Sequence, residues 1–197
     1  MKKIIAFLMS AAAGLMLLPG CASTSENCSA ADAVLDNIFA RKSVREYENR
    51  AVSKDTLELL VKAGMAAPSG MNRQPWEFVV FTDVQGRNEL AEKLPYAKML
   101  KSAPAAIVVV GNTETSKLWV EDCCAATENL LLAAEALGLG AVWTAAYPYE
   151  DRIGAIRAVL DIPEPYVPLC LIPVGYPAGE QTAKDKWTPD KVHYDKW

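Results

Sequence analysis

The stretch that most constrains the fold runs from Ala105 to Gly140. An unbroken apolar run, Ala105 to Gly111, is followed a few residues later by a long Ala- and Leu-rich segment, Lys117 to Leu137. An apolar run without alternation reads as a strand covered on both faces. The longer segment reads as a helix that is apolar on most sides, which places it centrally rather than on the surface. Gly138 and Gly140 end that helix. The chain therefore has to stack a helix on a sheet whose other face is also covered.

The flanking segments supply the other layers. Val34, Leu35, Ile38 and Phe39 share one helical face. Ser53 reads as the N-cap of a helix with Leu57, Leu60, Val61 and Gly64 on one side. That helix stops near Ala67, because Pro68 disfavours helical geometry at the residue before it. Glu77 to Thr82 is a short β-rich run, and Gln85 to Lys93 is a mostly polar helix. Ala141 to Ala145 reads as the next strand. Arg152 to Leu160 is helical, with Ile153, Ile156 and Val159 on one face. Tyr166 to Val174 is the last buried strand, closed by Gly175. Two helices precede the first strand, an order that fits an α+β sandwich better than a doubly wound sheet. No GxGxxG follows a strand and no Walker sequence occurs, so no Rossmann pocket for a nicotinamide is expected.

The start of the chain is of another kind. Met1-Lys2-Lys3 is basic, and Ile4 to Leu18 is apolar but short for a bilayer span. The run ends Leu18-Pro19-Gly20-Cys21, the pattern that a bacterial lipoprotein signal peptidase reads. The expectation is cleavage before Cys21 and its lipidation, since several acyl chains hold a protein on a membrane where one does not. An ordinary secretory leader with a chance cysteine is the alternative. Residues 1–20 are then a signal peptide, 21–32 a polar tether and 33–197 one domain. The chain would sit in the cell envelope, lipid-anchored on the periplasmic or outer-membrane side. Of the five cysteines, Cys21 is the lipid site and Cys28 lies in the tether. Cys123, Cys124 and Cys170 read as small buried hydrophobes. The formal charge of −4 gives no reason to expect a nucleic-acid partner. With His193 as the one histidine, neither a catalytic triad nor a histidine metal site can be built from it alone.

Two segments carry chemistry. Arg41-Lys42-Ser43-Val44-Arg45 gathers three cations and a hydroxyl, groups that suit a phosphate monoester. From spacing alone a solvated basic turn reads as well. Pro68-Ser69-Gly70-Met71-Asn72-Arg73-Gln74-Pro75-Trp76 is an ordered non-helical loop. Its Ser69, Asn72, Arg73 and Gln74 can bond the edge of a planar heterocycle. A stiff connector between helix and strand is the alternative. In this order and at this separation the two segments resemble the nitroreductase family, from about Asp36 to the C-terminus. Gly138-Leu139-Gly140-Ala141-Val142-Trp143 and Leu171-Ile172-Pro173-Val174-Gly175-Tyr176-Pro177 resemble further blocks of that family.

The resemblance implies an α+β nitroreductase-like sandwich, with a central mixed β-sheet flanked by helices, in an intertwined homodimer. It implies FMN as cofactor. Arg41, Lys42, Ser43 and Arg45 match the segment that holds the phosphate and ribityl chain. Pro68, Ser69, Gly70, Asn72 and Gln74 match the loop that reaches the flavin of the partner subunit. Thr144, Ala145 and Ala146 match the stretch whose backbone N–H approaches flavin N5. Lys184 and Lys186 match a basic pair that completes the phosphate site, and Lys98 is a looser match for charge near N1. Tyr47, Tyr96, Tyr147 and Tyr149 are candidates for the walls of the acceptor pocket, and aromatic packing explains each equally well. No catalytic side chain is implied, because the flavin carries the electrons. The implied activity is ping-pong reduction of nitroaromatics, quinones or similar flat acceptors with NAD(P)H, a donor that is scarce in the envelope. A flavin-dependent dehydrogenase or dehalogenase of a small substrate is a second reading, though no large lid is obvious. A binding lipoprotein on the same fold is a third.

Overall fold

The computed structural model describes residues 29–197; the signal-peptide, Cys21 and Cys28 readings lie outside them. Helix α1 spans Ala30–Ala40 and starts in a capping box, in which Ser29 Oγ accepts from Asp32 N–H and the Asp32 carboxylate accepts from Ser29 N–H. It thus takes in Ala30, Ala31 and Asp32, the last residues of the segment read as tether. Helix α2 spans Lys54–Met65, capped by Ser53 as expected. Strand β1 (Trp76–Phe81) and helix α3 (Val84–Lys93) follow, then strand β2 (Ala105–Asn112) and helix α4 (Trp119–Ala136). Strands β3 (Gly140–Ala141) and β4 (Thr144–Ala145), helix α5 (Glu150–Leu160) and strand β5 (Tyr166–Gly175) complete the domain.

The strands form one sheet in the order β1-β2-β5-β3, with β4 also on β5. The four ladders are antiparallel, and a parallel bridge between Ser43 and Ala141 makes the sheet mixed. On β2, Ala105, Ile107 and Val109 join the core under α2 and α4, with Leu57, Leu60, Leu130 and Ile172. Ala106, Val108 and Val110 point the other way, to Leu90, Ile153, Ile156 and Leu171 on the side of α3 and α5. The apolar run is therefore buried on both faces. Close stacking of α4 needs Gly111, where a Cβ would lie 2.3 Å from Trp119 Cε3. Gly138, at φ +68°, follows the C-terminus of α4, the longest helix among the described residues.

Two sequence expectations change. The strand read over Ala141–Ala145 is two short pieces. In unbroken register Pro173 falls opposite Val142, and proline has no N–H to donate to the ladder. The apolar face of α1 is not in this chain's core. Val34, Leu35, Ile38 and Phe39 are exposed, while polar groups fasten the helix to α4, with Asn37 Nδ2 donating to Leu132 O at 3.0 Å.

Candidate active site

The segment after α1 is extended, so its side chains alternate. Val44 points inward and is buried, while Ser43 and Arg45 point out. Val44 N–H donates to Ala141 O at 3.0 Å. Gly140 permits this approach, because a Cβ there would lie 2.5 Å from Val44 Cγ1. Tyr47 is buried behind them, and its hydroxyl donates to Val44 O (2.7 Å) and Pro173 O (3.2 Å). Burial pushes the Tyr47 phenol well above its ordinary range, so it acts here as a neutral donor.

The cations divide between two neighbouring cavities. One, of about 560 Å³, is lined by Ile38, Phe39, Arg41, Ala183, Lys184, Asp185, Lys186 and Trp187. Residues far apart in sequence thus converge, Arg41 with Lys184 and Lys186. Glu128 holds Arg41 at 3.3 Å. Lys42 turns away, its ammonium 2.7 Å from the Glu135 carboxylate and 3.3 Å from Ala40 O, so its charge anchors the segment to α4 instead of joining the cavity. Ser43 is exposed beside its bridge to Ala141 and lines neither cavity.

The second cavity, of about 480 Å³, is lined by Arg45, Tyr96, Lys98, Met99, Val142, Trp143, Thr144, Ala145 and Arg152. The Thr144 hydroxyl is buried without a partner among the described residues. The β4–β5 register decides which amide faces the cavity. Ala146 N–H donates to Leu169 O at 3.0 Å and Ala146 is fully buried, so it belongs to the ladder and not to the site as expected from sequence. Alternation then turns Ala145 away from β5. The carbonyls of Ala141 and Ala145 follow that rule, accepting from Val44 N–H and Arg152 Nη1. The N–H of Ala145 is thus the one presented off the sheet edge.

The Pro68–Gln74 loop lies elsewhere. Trp76 pairs with Gly111, and Gly111 with Val167, whereas Ala141 pairs with Val174. From Val167 to Val174 along β5 is roughly 23 Å at about 3.3 Å per residue. Ser69, Gly70, Asn72 and Gln74 therefore stand at the opposite end of the sheet from Arg45. The loop is held stiffly. Met71, Asn72 and Gln74 adopt φ of 54°, 55° and 48°, a conformation that costs non-glycine residues of order 1 kcal/mol or more. Ser69 Oγ accepts from Gln74 N–H (3.0 Å), and Gln74 Nε2 donates to Asn72 Oδ1 (2.9 Å). Pro68 is exposed at the loop's start. The buried Asp122 of α4 accepts from Gly70 N–H (2.7 Å) and Ser116 Oγ (3.0 Å).

Sequence reasoning missed Arg152 and Asp122 as site residues. Neither lies in a marked segment; only the fold brings Arg152 to Ala145 and Asp122 to Gly70. A larger apolar groove of about 730 Å³ between α2 and β1 gathers none of the expected residues. Among the described residues no cluster of His, Cys, Asp or Glu fits a metal, and no helix is long and apolar enough to cross a membrane.

The profile of the nitroreductase family matches residues 38–95 and 91–176. A relative from Archaeoglobus fulgidus, provisionally named an NADH dehydrogenase/NAD(P)H nitroreductase, is 43% identical over 170 residues, 83% of this chain and 98% of its own. A crystal structure from Bacteroides thetaiotaomicron with the same provisional name matches with a TM-score of 0.83 at 53% identity, over 84% of this chain and 98% of that one. A provisionally named nitroreductase from Desulfovibrio desulfuricans, crystallised in complex with FMN, matches with a TM-score of 0.71 at 30% identity, over 83% and 97%. On this fold and these matches, the chain belongs to the nitroreductase family.

Proposed function

We propose that this chain is an FMN-dependent oxidoreductase that takes electrons from NAD(P)H and passes them to flat, electron-poor acceptors such as nitroaromatics and quinones. The carrying observation is the convergence of Arg41, Lys184 and Lys186 on one cavity beside a second one lined by Arg45, Lys98, Thr144 and Ala145. The residues fit the cofactor. Three cations suit a phosphate. The unpartnered Thr144 hydroxyl and the outward Ala145 N–H offer donors to a heterocycle edge. When bound, FMN supplies the hydride-transfer chemistry. The protein's share is to bind and orient. Arg41, Lys184 and Lys186 hold the phosphate. Arg45 supplies charge at the ring edge, with Lys98 behind it. Ala145 N–H fixes the ring's lateral position.

The reading includes a homodimer. The stiff Pro68–Gln74 loop is too far from its own chain's cavities to serve them, and the exposed apolar face of α1 needs cover. A second copy meets both demands. The reading also keeps lipidation of Cys21 and an envelope location, which rest on the sequence pattern alone. Cys21→Ser should abolish incorporation of labelled fatty acid; labelling that persists would refute the anchor.

The enzymatic claim is tested by half-reactions without oxygen. NADH or NADPH should bleach the flavin band of the FMN-loaded protein, and a quinone or nitroaromatic should restore it. An FMN-loaded protein that neither nicotinamide bleaches would overturn the donor assignment. One that bleaches but is reoxidised by neither acceptor class would overturn the acceptor assignment.

A further inference from the structure

We propose that Arg152 anchors an anionic group of the substrate, so that the site favours flat acceptors bearing a carboxylate. The proposal rests on the reading that the cavity Arg152 lines holds the flavin ring.

Arg45, Lys98 and Arg152 line the cavity, and no Asp or Glu does. Lys98 is partly neutralised by Glu92 at 3.5 Å. Among the described residues neither Arg45 nor Arg152 has a carboxylate within ion-pair distance. Arg45 belongs to the segment expected to serve the cofactor. That leaves Arg152 as a cation without an anion, in a chain whose net charge is −4.

The Arg152 guanidinium is held in place, 3.8 Å from the centre of the Tyr149 ring and 5.2 Å from that of Tyr96. Its Nη1 donates to Ala145 O at 3.1 Å. The carbonyl and N–H of Ala145 both point off the sheet edge, so Arg152 sits beside the amide expected to meet the reacting edge of the ring. The rest of the fork is unspent. Among the described residues Nη2 makes no bond, while Nε is buried and without a partner. The Nη2 donors are left to take a carboxylate oxygen in a charge-assisted bond. Tyr96 is largely exposed and lines the same cavity with aromatic surface. A planar aromatic acid meets both features at once, its ring against tyrosine and flavin and its carboxylate on Arg152.

The test uses the FMN-loaded full chain. Benzoate and benzamide are titrated into the oxidised protein, and binding is read from perturbation of the flavin spectrum. The kcat/KM values for para-nitrobenzoate and nitrobenzene are compared in parallel. Benzoate should bind about tenfold or more tightly than benzamide, as expected where a charge-assisted bond is made in one case only. Added salt should weaken benzoate alone. Arg152→Met should remove the preference in both assays, and Arg152→Lys should keep part of it. If Arg152→Met does not fold, the wild-type comparison and Arg152→Lys decide. A wild type without preference, or an Arg152→Met protein that keeps it, overturns the proposal and leaves the flavin enzyme standing. A chain that takes up no FMN overturns both.

Discussion

A methyl group at position 140 would lie 2.5 Å from Val44 Cγ1 and 2.7 Å from its Cβ. The missing side chain therefore decides where the 43–47 segment runs, and with it where Arg45 stands. Gly140→Ala should cost about 1–3 kcal/mol, the usual penalty of overpacking, and weaken FMN binding more than Gly154→Ala, where a Cβ meets nothing. Calorimetry and a flavin titration would show this; equal effects at the two sites would contradict it. Asp122 is the corresponding anchor for the loop. Asp122→Ala leaves Gly70 N–H and the Ser116 hydroxyl without their acceptor, a loss of about 1–3 kcal/mol where the groups stay buried. Urea unfolding measures that loss. Residue types marked Arg41, Lys42, Ser43 and Arg45 as groups that suit a phosphate, and only the family resemblance added Lys184 and Lys186. Neither could show that Glu135 claims Lys42, or that Arg152 stands beside Ala145, because both facts are contacts between elements far apart in sequence.

At the scale of elements, local signals carried far. Ser53 caps α2 as its type and position imply, and Ser53→Ala should cost about 1 kcal/mol in a thermal or chemical melt. The apolar character of α4 on most of its sides announced its central place. Leu130 on it is fully buried between helix and sheet, so Leu130→Ala should cost about 2–5 kcal/mol; a loss well under that range would mean the site collapses around the cavity. Where reading by element fell short, the missing information was register. The break between β3 and β4 comes from Pro173 on another strand, and the exclusion of Ala146 from the site comes from Leu169 on that same strand. Neither is visible in the 140–146 segment itself. The face of α1 shows the converse. Its period marks it correctly as amphipathic, but periodicity does not say whether the chain's own core or a second copy covers it.

The whole molecule has a pH response set by buried acids that stay neutral. Burial pushes the Cys170 thiol from 9.0 up to about 12, and drives Cys123 and Tyr47 upward as well. The folded chain keeps these protons where the unfolded chain gives them up. Stability from this source is complete below pH 9.0 and is lost as pH rises from there towards about 12. Urea midpoints should be flat across neutral pH in this respect and fall above pH 9.0, and Cys170→Ala should soften the fall. A midpoint that rises with alkali would contradict the burial. The same global view gives the dimer its reason. One end of the sheet holds the cations and the other holds the loop, so in the proposed dimer each chain would give a different part to each of the two sites. Gel filtration of the full chain should show a dimer that Phe39→Glu, on the exposed face of α1, weakens or splits.

The central claim is that Arg41, Lys184 and Lys186 form a phosphate seat beside a flavin cavity. An equilibrium titration of the apoprotein with FMN and with riboflavin tests it most directly, since the two differ only in the phosphate. The account predicts one FMN per chain, riboflavin bound far more weakly, and a loss of that discrimination in the Lys184→Ala/Lys186→Ala double variant. Equal affinity for the two ligands, or discrimination that survives the double variant, would contradict it.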